Sequence, residues 1–251
     1  MSVQSRRQFT QEALGSLLTF SLLDTLLARN LLAEEIRPTA ERWLTEVNEL
    51  AQDLKDQGLK QLAWQKKVEE LFARVPLNDF LKLIDFDRLA ASVAPSDSGA
   101  RSLRPQFPEI AGIPTRLAFG RQVFQIKQGH SVVPHGHSNM ATAFLILHGK
   151  LRGRHYDRLE DQPSHFIIRP TIDRTFTAGE CSTVSDFKDN VHWFQAQSEV
   201  AYIFNIHVMG VDPKAAVPTG RLYLDPEGEK LGGGLIRARR IDHDEAHKLY
   251  G

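Results

Sequence analysis

The 251 residues carry 31 basic and 31 acidic side chains, so the chain is electrically balanced and offers no net field for nucleic acid or an anionic membrane. A single cysteine, Cys181, rules out an intrachain disulfide and any cysteine-rich zinc site. Histidine, present ten times, is the metal-binding residue that remains in quantity, and it concentrates between His130 and His192.

At the N-terminus Ser5-Arg6-Arg7-Gln8-Phe9 precedes a moderately apolar run over 13–28, a pattern similar to a twin-arginine export signal. Asp24 interrupts the run, and no A-x-A cleavage site follows. Leu14, Leu17, Leu18, Leu22 and Leu26 also recur at helical spacing, so an amphipathic helix is the equal alternative for residues 1–30. Export or a cytoplasmic location follows from which of the two holds. The run is too short and interrupted to predict a transmembrane helix.

Residues 31–105 read as a helical segment with a linker. From Thr39 to about Ser92, Trp43, Leu44, Val47, Leu50, Ala51 and Leu54 mark one apolar face. Leu62, Val68, Leu71, Phe72 and Val75 mark a second. Pro76 breaks the pattern, and Asn78 or Asp79 is expected to cap a short helix ending near Leu89. A stretch rich in Pro, Gly and Ser, from Ala94 to Pro114, predicts the domain boundary.

After Pro114 the period becomes that of strands: 116–119, 123–126, 142–147, 151–156, 166–168, 174–177, 181–186, 192–194 and 201–208, separated by Gly, Asp, Asn and Pro turns. Many short, closely spaced strands favour a mainly β barrel or jelly roll over 106–211. Residues 212–251 read as a C-terminal extension, with LDPEGEKLGGG as a turn or loop. There is no internal repeat and no low-complexity tract.

The chemistry concentrates in His135-Gly136-His137. Alternate residues of a strand share a face, so both imidazoles point the same way, and His192 from another strand can complete a three-nitrogen set. Three protein ligands with vacant positions make a reactive centre rather than a structural one. His130, His148, His155 and His165 read as surface or hairpin residues, and Cys181 as a small strand residue. His207, on an apolar strand, is either a structural histidine or a partner of the metal centre.

Gly129, five residues, His135-x-His137 and then Gly149 resemble the first motif of the cupin superfamily, with His192 in place of the second-motif histidine. The resemblance spans Thr115 to Gly210 and implies a double-stranded β-helix barrel. Ala141 or Thr142 stands where cupins carry a glutamate ligand, which is similar to the three-histidine thiol dioxygenases. The cysteamine dioxygenase and plant cysteine oxidase group has H-x-H-P-G-M, matched here by His135-Gly-His137-Ser-Asn-Met140. That group also has a glycine seven residues before Tyr-Asp, as in Gly149 and Tyr156-Asp157, and N-x-H-x-F-x-A, as in Asn190-Val-His192-Trp-Phe194-Gln-Ala196.

Cysteine dioxygenase, a cousin, carries S-x-H-x-Y further along, where this chain has Asn205-Ile-His207-Val-Met209. Thr142 replaces its crosslinking cysteine, so no Cys–Tyr crosslink can form there. Thr115-Arg116 resembles the T-R that begins the strand of its carboxylate-binding arginine.

The resemblance implies iron(II), or another divalent first-row metal, held by His135, His137 and His192, with His207 and Arg116 as the acting side chains. The implied partners are a small thiol and O2, and the implied product is a sulfinate. Three neutral imidazoles leave the metal its full divalent charge, which lowers the pKa of a bound thiol. Two alternatives stay open: another metal-dependent cupin enzyme, such as a quercetinase-like dioxygenase or an isomerase, and a non-catalytic cupin that binds a ligand or metal. Oligomeric state is not legible.

Overall fold

A computed structural model describes residues 38–107 and 114–251. The twin-arginine-like motif and the leucine face of residues 14–26 lie outside the described residues. Among the described residues no helix is long and apolar enough to cross a membrane.

The helical segment forms where the 3.6-residue period predicts it, with one shift of face. Helix α1 runs over 38–55 and buries Trp43, Leu44, Val47, Ala51 and Leu54. Helix α2, Gln61–Arg74, buries Trp64, Val68, Leu71 and Phe72, while Leu62 is 51% exposed instead of buried. Helix α3, Leu77–Leu83, starts directly after Pro76, whose fixed φ suits a helix entrance, and neither Asn78 nor Asp79 caps it. Asp85, at φ 49°, separates it from α4, Phe86–Ala91.

The remainder is mainly β and forms two sheets, one of them closed. Its strands are β1 Ala100–Leu103, β2 Gly120–Lys127, β3 Ser131–Ser138, β4 Met140–His148, β5 Lys150–Asp161, β6 His165–Thr177, β7 Cys181–Val184, β8 Val191–Ala196, β9 Val200–Met209, β10 Gly220–Lys230 and β11 Ile236–Ile241. Helix α5, His243–Tyr250, ends the chain, with Asp242 as its N-cap accepting from the Glu245 N–H.

One sheet has the order β1-β2-β9-β4-β7, and the other is a closed ring, β10-β11-β6-β5-β8-β3. Two sequence readings are corrected here. The LDPEGEK stretch is not a loop: it lies in β10, which pairs with β3 and β11 and closes the ring. The Pro/Gly/Ser stretch also holds a strand, β1, paired with β2.

Alternation sorts the side chains into three packed layers. The outer face of the open sheet, with Val123, Leu145, Phe204 and Ile206, meets the helices, and Phe204 sits edge-on to Phe80 at 4.8 Å. Its inner face, with Phe124, Phe144 and Ile203, meets Leu151, Phe176 and Phe194 of the ring. Inside the ring a small third core gathers Tyr156, Phe166, Ile168 and Leu224. Two buried glutamines pin α2 to β7 and the residues after it: Gln65 Nε2 donates to Thr183 Oγ1, and Gln61 Oε1 accepts from the Asp186 N–H.

Candidate metal centre

His135, His137 and His192 converge between the two sheets. His135 and His192 are direct cross-strand partners in the β3–β8 register, and His137 follows on the same face of β3. Their ring centroids lie 4.2 to 5.1 Å apart. One ligand nitrogen from each lies within 4.8 Å of the others, close enough for small side-chain rotations to reach a shared ion at about 2.1 Å.

The surrounding hydrogen bonds orient these rings. His135 Nδ1–H donates to Val133 O at 2.8 Å, and His137 Nδ1 shares a hydrogen bond with Thr142 Oγ1 at 3.2 Å, so Nδ1 is engaged on both rings and Nε2 is the nitrogen left for a metal. Asn190 braces the turn of chain between ligands. Its Nδ2 donates to His137 O at 2.9 Å, and its Oδ1 accepts from the His137 N–H at 3.3 Å. Arg158 Nη1 donates to the same carbonyl at 3.1 Å. Asp157 accepts from the Asp189 N–H at 3.0 Å and so holds the approach to His192.

Burial makes all three imidazoles neutral, which is the protonation state a metal needs. His135 is pulled down to about 3, chiefly by desolvation and then by the charge of Arg221. His137 and His192 fall well below the usual histidine value for the same leading reason. At His192 the buried Nδ1 has no partner among the described residues. Three neutral nitrogens, one ring without a partner and no carboxylate in the cluster fit a divalent first-row ion.

The other expected residues divide. His207 lies on β9 opposite Thr142 and Gly120, half-buried, with its pKa lowered by burial and then by Arg221. The His207 ring lies directly over Gly120, where a Cβ would stand 2.1 Å from its Nε2. Arg116 does not join the site: it is exposed in an irregular segment, and the strand starts only at Gly120. Cys181 sits half-buried on β7, with its thiol pKa raised by burial. His148 is exposed and His130 and His165 are partly buried.

Three residues at the centre escaped the sequence reading. His155 is fully buried, not a surface residue, and faces His192 across the β5–β8 register at 6.3 Å between rings. Its parity with the buried Leu151 was the available signal. Arg221 and Tyr223 on β10 lie opposite His137 and His135, so they share the ligands' face. Leu222 and Leu224, alternating with them, were the corresponding sign of a strand.

A cavity of about 540 Å³ lies behind the end of β3 against the α1–α2 turn and touches none of the three ligands. A cavity of about 230 Å³ walled by His137, Thr142, Asn205, His207 and Arg221 borders one of the three.

No family model and no curated protein matches the chain. Among solved structures it is similar to procruciferin, an 11S globulin from Brassica napus, at 12% identity and TM-score 0.32, over 43% of this chain and 23% of that one. A cupin superfamily protein from Desulfitobacterium hafniense DCB-2 is similar at 15% identity and TM-score 0.32, over 48% and 87%. An oxalate oxidase is similar at 14% identity and TM-score 0.36, over 51% and 56%. The chain thus spans about a quarter of the globulin and just over half of the oxidase.

Proposed function

We propose that the chain is a metal-dependent oxidoreductase that uses iron(II) and O2 to convert a small thiol to a sulfinate. The observation that carries this reading is the buried cluster of His135, His137 and His192 with Thr142, not a carboxylate, against it. Bound there, iron(II) supplies a positive centre that favours thiolate over thiol, together with redox capacity toward O2.

The chain's own residues do the rest. Val133 O and Thr142 Oγ1 fix the two β3 rings, and Asn190 and Arg158 hold the His137 backbone rigid. Neutral His207 faces the cavity and is available to take the thiol proton on a ring nitrogen. The apolar rings of Phe144 and Phe194 close the inner side against water.

The test is anaerobic reconstitution with iron(II), elemental analysis, and an O2 electrode with cysteine, cysteamine and an N-terminal cysteine peptide. About one metal per chain is expected, lost in His135→Ala, His137→Ala and His192→Ala, with thiol-dependent O2 uptake by the intact protein. Full metal retention by His192→Ala would sink the three-histidine centre. Metal binding without O2 uptake would favour the second reading, a non-catalytic metal- or ligand-binding domain, which Asn205 and Met209 support by standing where the resemblance has serine and tyrosine.

A further inference from the structure

The last helix carries a second pair of imidazoles, which the three-histidine centre does not use. His243 and His247 stand four residues apart on α5, a spacing that puts two side chains on one face of a helix. Their ring centroids lie 4.4 Å apart, with the planes tilted by 41°, and both residues are exposed. Tyr223 of β10 meets the His243 ring edge-on at 5.3 Å and backs it from the sheet side.

Each ring has one nitrogen engaged and one left over. His243 Nδ1–H donates to Asp244 Oδ1 at 3.0 Å, because an ionised carboxylate can only accept, and this puts the lone pair on Nε2. A carboxylate on the far N–H of an imidazole is the common support of a histidine ligand, since it fixes both tautomer and orientation. His247 turns its Nδ1 edge toward the chain: a Cβ on Gly99 would stand 3.0 Å from that atom, and one on Gly251 3.2 Å. Nε2 is the nitrogen on the other side of the ring. Asp244 also sets a negative charge beside the pair, with a side chain 97% exposed, whereas Glu245 is engaged by Arg239.

We propose that His243 and His247 form a second, surface site for one divalent transition-metal ion, held through the two Nε2 atoms. Two histidines at this spacing on one helix face are a known way to hold zinc, and small side-chain rotations bring both nitrogens to about 2.1 Å from a shared ion. Imidazole donors suit zinc, nickel or copper(II); calcium and magnesium want oxygen. With two protein ligands instead of three, and open to water, this site is the weaker of the two. It owes nothing to the three-histidine centre and stands or falls separately.

Equilibrium dialysis of the full chain against zinc tests it. Two ions per chain are expected, one tight and one weaker. His243→Ala and His247→Ala should each weaken the second ion at least tenfold and leave the first. His243→Ala carries the result if lost packing on Gly99 loosens α5 in His247→Ala. The exchange His247→Lys/Lys248→His keeps the histidine count but moves one ring about 100° around the helix, so it should fail as His247→Ala does. A tenfold excess of calcium should leave the second zinc in place. Zinc binding unchanged in His243→Ala overturns the proposal, and so does a second ion retained by the exchanged variant or displaced by calcium. If the intact chain binds a single zinc, the variants identify its place: loss in His243→Ala supports the helix site and counts against the buried centre, while loss in His192→Ala overturns the helix site.

Discussion

His155 gives burial a measurable consequence that needs no metal. Its ring is stacked on Phe176 at 6.2 Å, meets Phe194 edge-on at 5.5 Å, and has Ser182 Oγ at 3.3 Å from Nε2. Desolvation first, then the charges of Arg174 and Lys188, lowers its pKa from 6.5 to about 3. His135 is lowered to about 3 as well, and His137 and His192 also fall well below 6.5. The unfolded chain takes up protons near pH 6.5 while the folded chain does not. The stability from these groups is therefore complete above about pH 6.5 and is lost as pH falls toward 3.

Each histidine contributes a slope of about 1.4 kcal/mol per pH unit inside that window, so four together give roughly 5–6 kcal/mol per unit. Against a total stability of about 5–15 kcal/mol, metal-free protein should unfold between about pH 6 and pH 4. Urea denaturation of metal-free protein at pH 7.5, 6.0 and 5.0 reads the slope directly. His155→Leu should reduce it by about a quarter, whatever it does to stability at pH 7.5. Loading with zinc should push the fall to lower pH, because the ion holds three of the rings unprotonated until it dissociates. Stability that stays flat from pH 7.5 to 5.0, or a slope unchanged by His155→Leu, would refute the neutral, buried state of these rings.

Two further outcomes follow from the packing around the centre. Gly120→Ala would place a methyl 2.1 Å from His207 Nε2, forcing the ring back by more than an ångström without touching a metal ligand. Metal content should be unchanged and thiol-dependent O2 uptake should fall about 100-fold; undiminished turnover would remove His207 from the chemistry. Truncation after Met209 deletes β10 and β11 and strips the ring core of Leu224, Ile236 and Ala238. Such a chain should be insoluble or rapidly proteolysed, and a soluble product with the intact protein's thermal midpoint would show that ring closure contributes little.

The parts of this molecule that were legible in the sequence are those governed by local periodicity. The α1 face of Trp43, Leu44, Val47, Ala51 and Leu54 repeats every three or four residues, and it is buried as such. His135 and His137 share a face because a strand has a period of two, and strand pairing across β3 and β8 brings His192 opposite His135. Arg116 was misassigned by expecting a strand four residues before one begins at Gly120.

The harder failure is β10. Asp225-Pro226-Glu227-Gly228 has the composition of a turn, and only its neighbours make it a strand. The β10–β11 register shifts between Asp225 and Glu229, so the proline falls within an irregularity rather than in a regular ladder. Gly228 passes so close to β11 that a Cβ would stand 2.2 Å from Arg237 O. Propensity at those positions therefore reports the bulge, while the strand itself is imposed by β3 on one side and β11 on the other. That explains why the ligand set could be read and the cavity could not. The histidines are arranged by the pleat of their own strands, whereas Arg221 reaches them only because a distant, turn-like segment closes the ring beside β3.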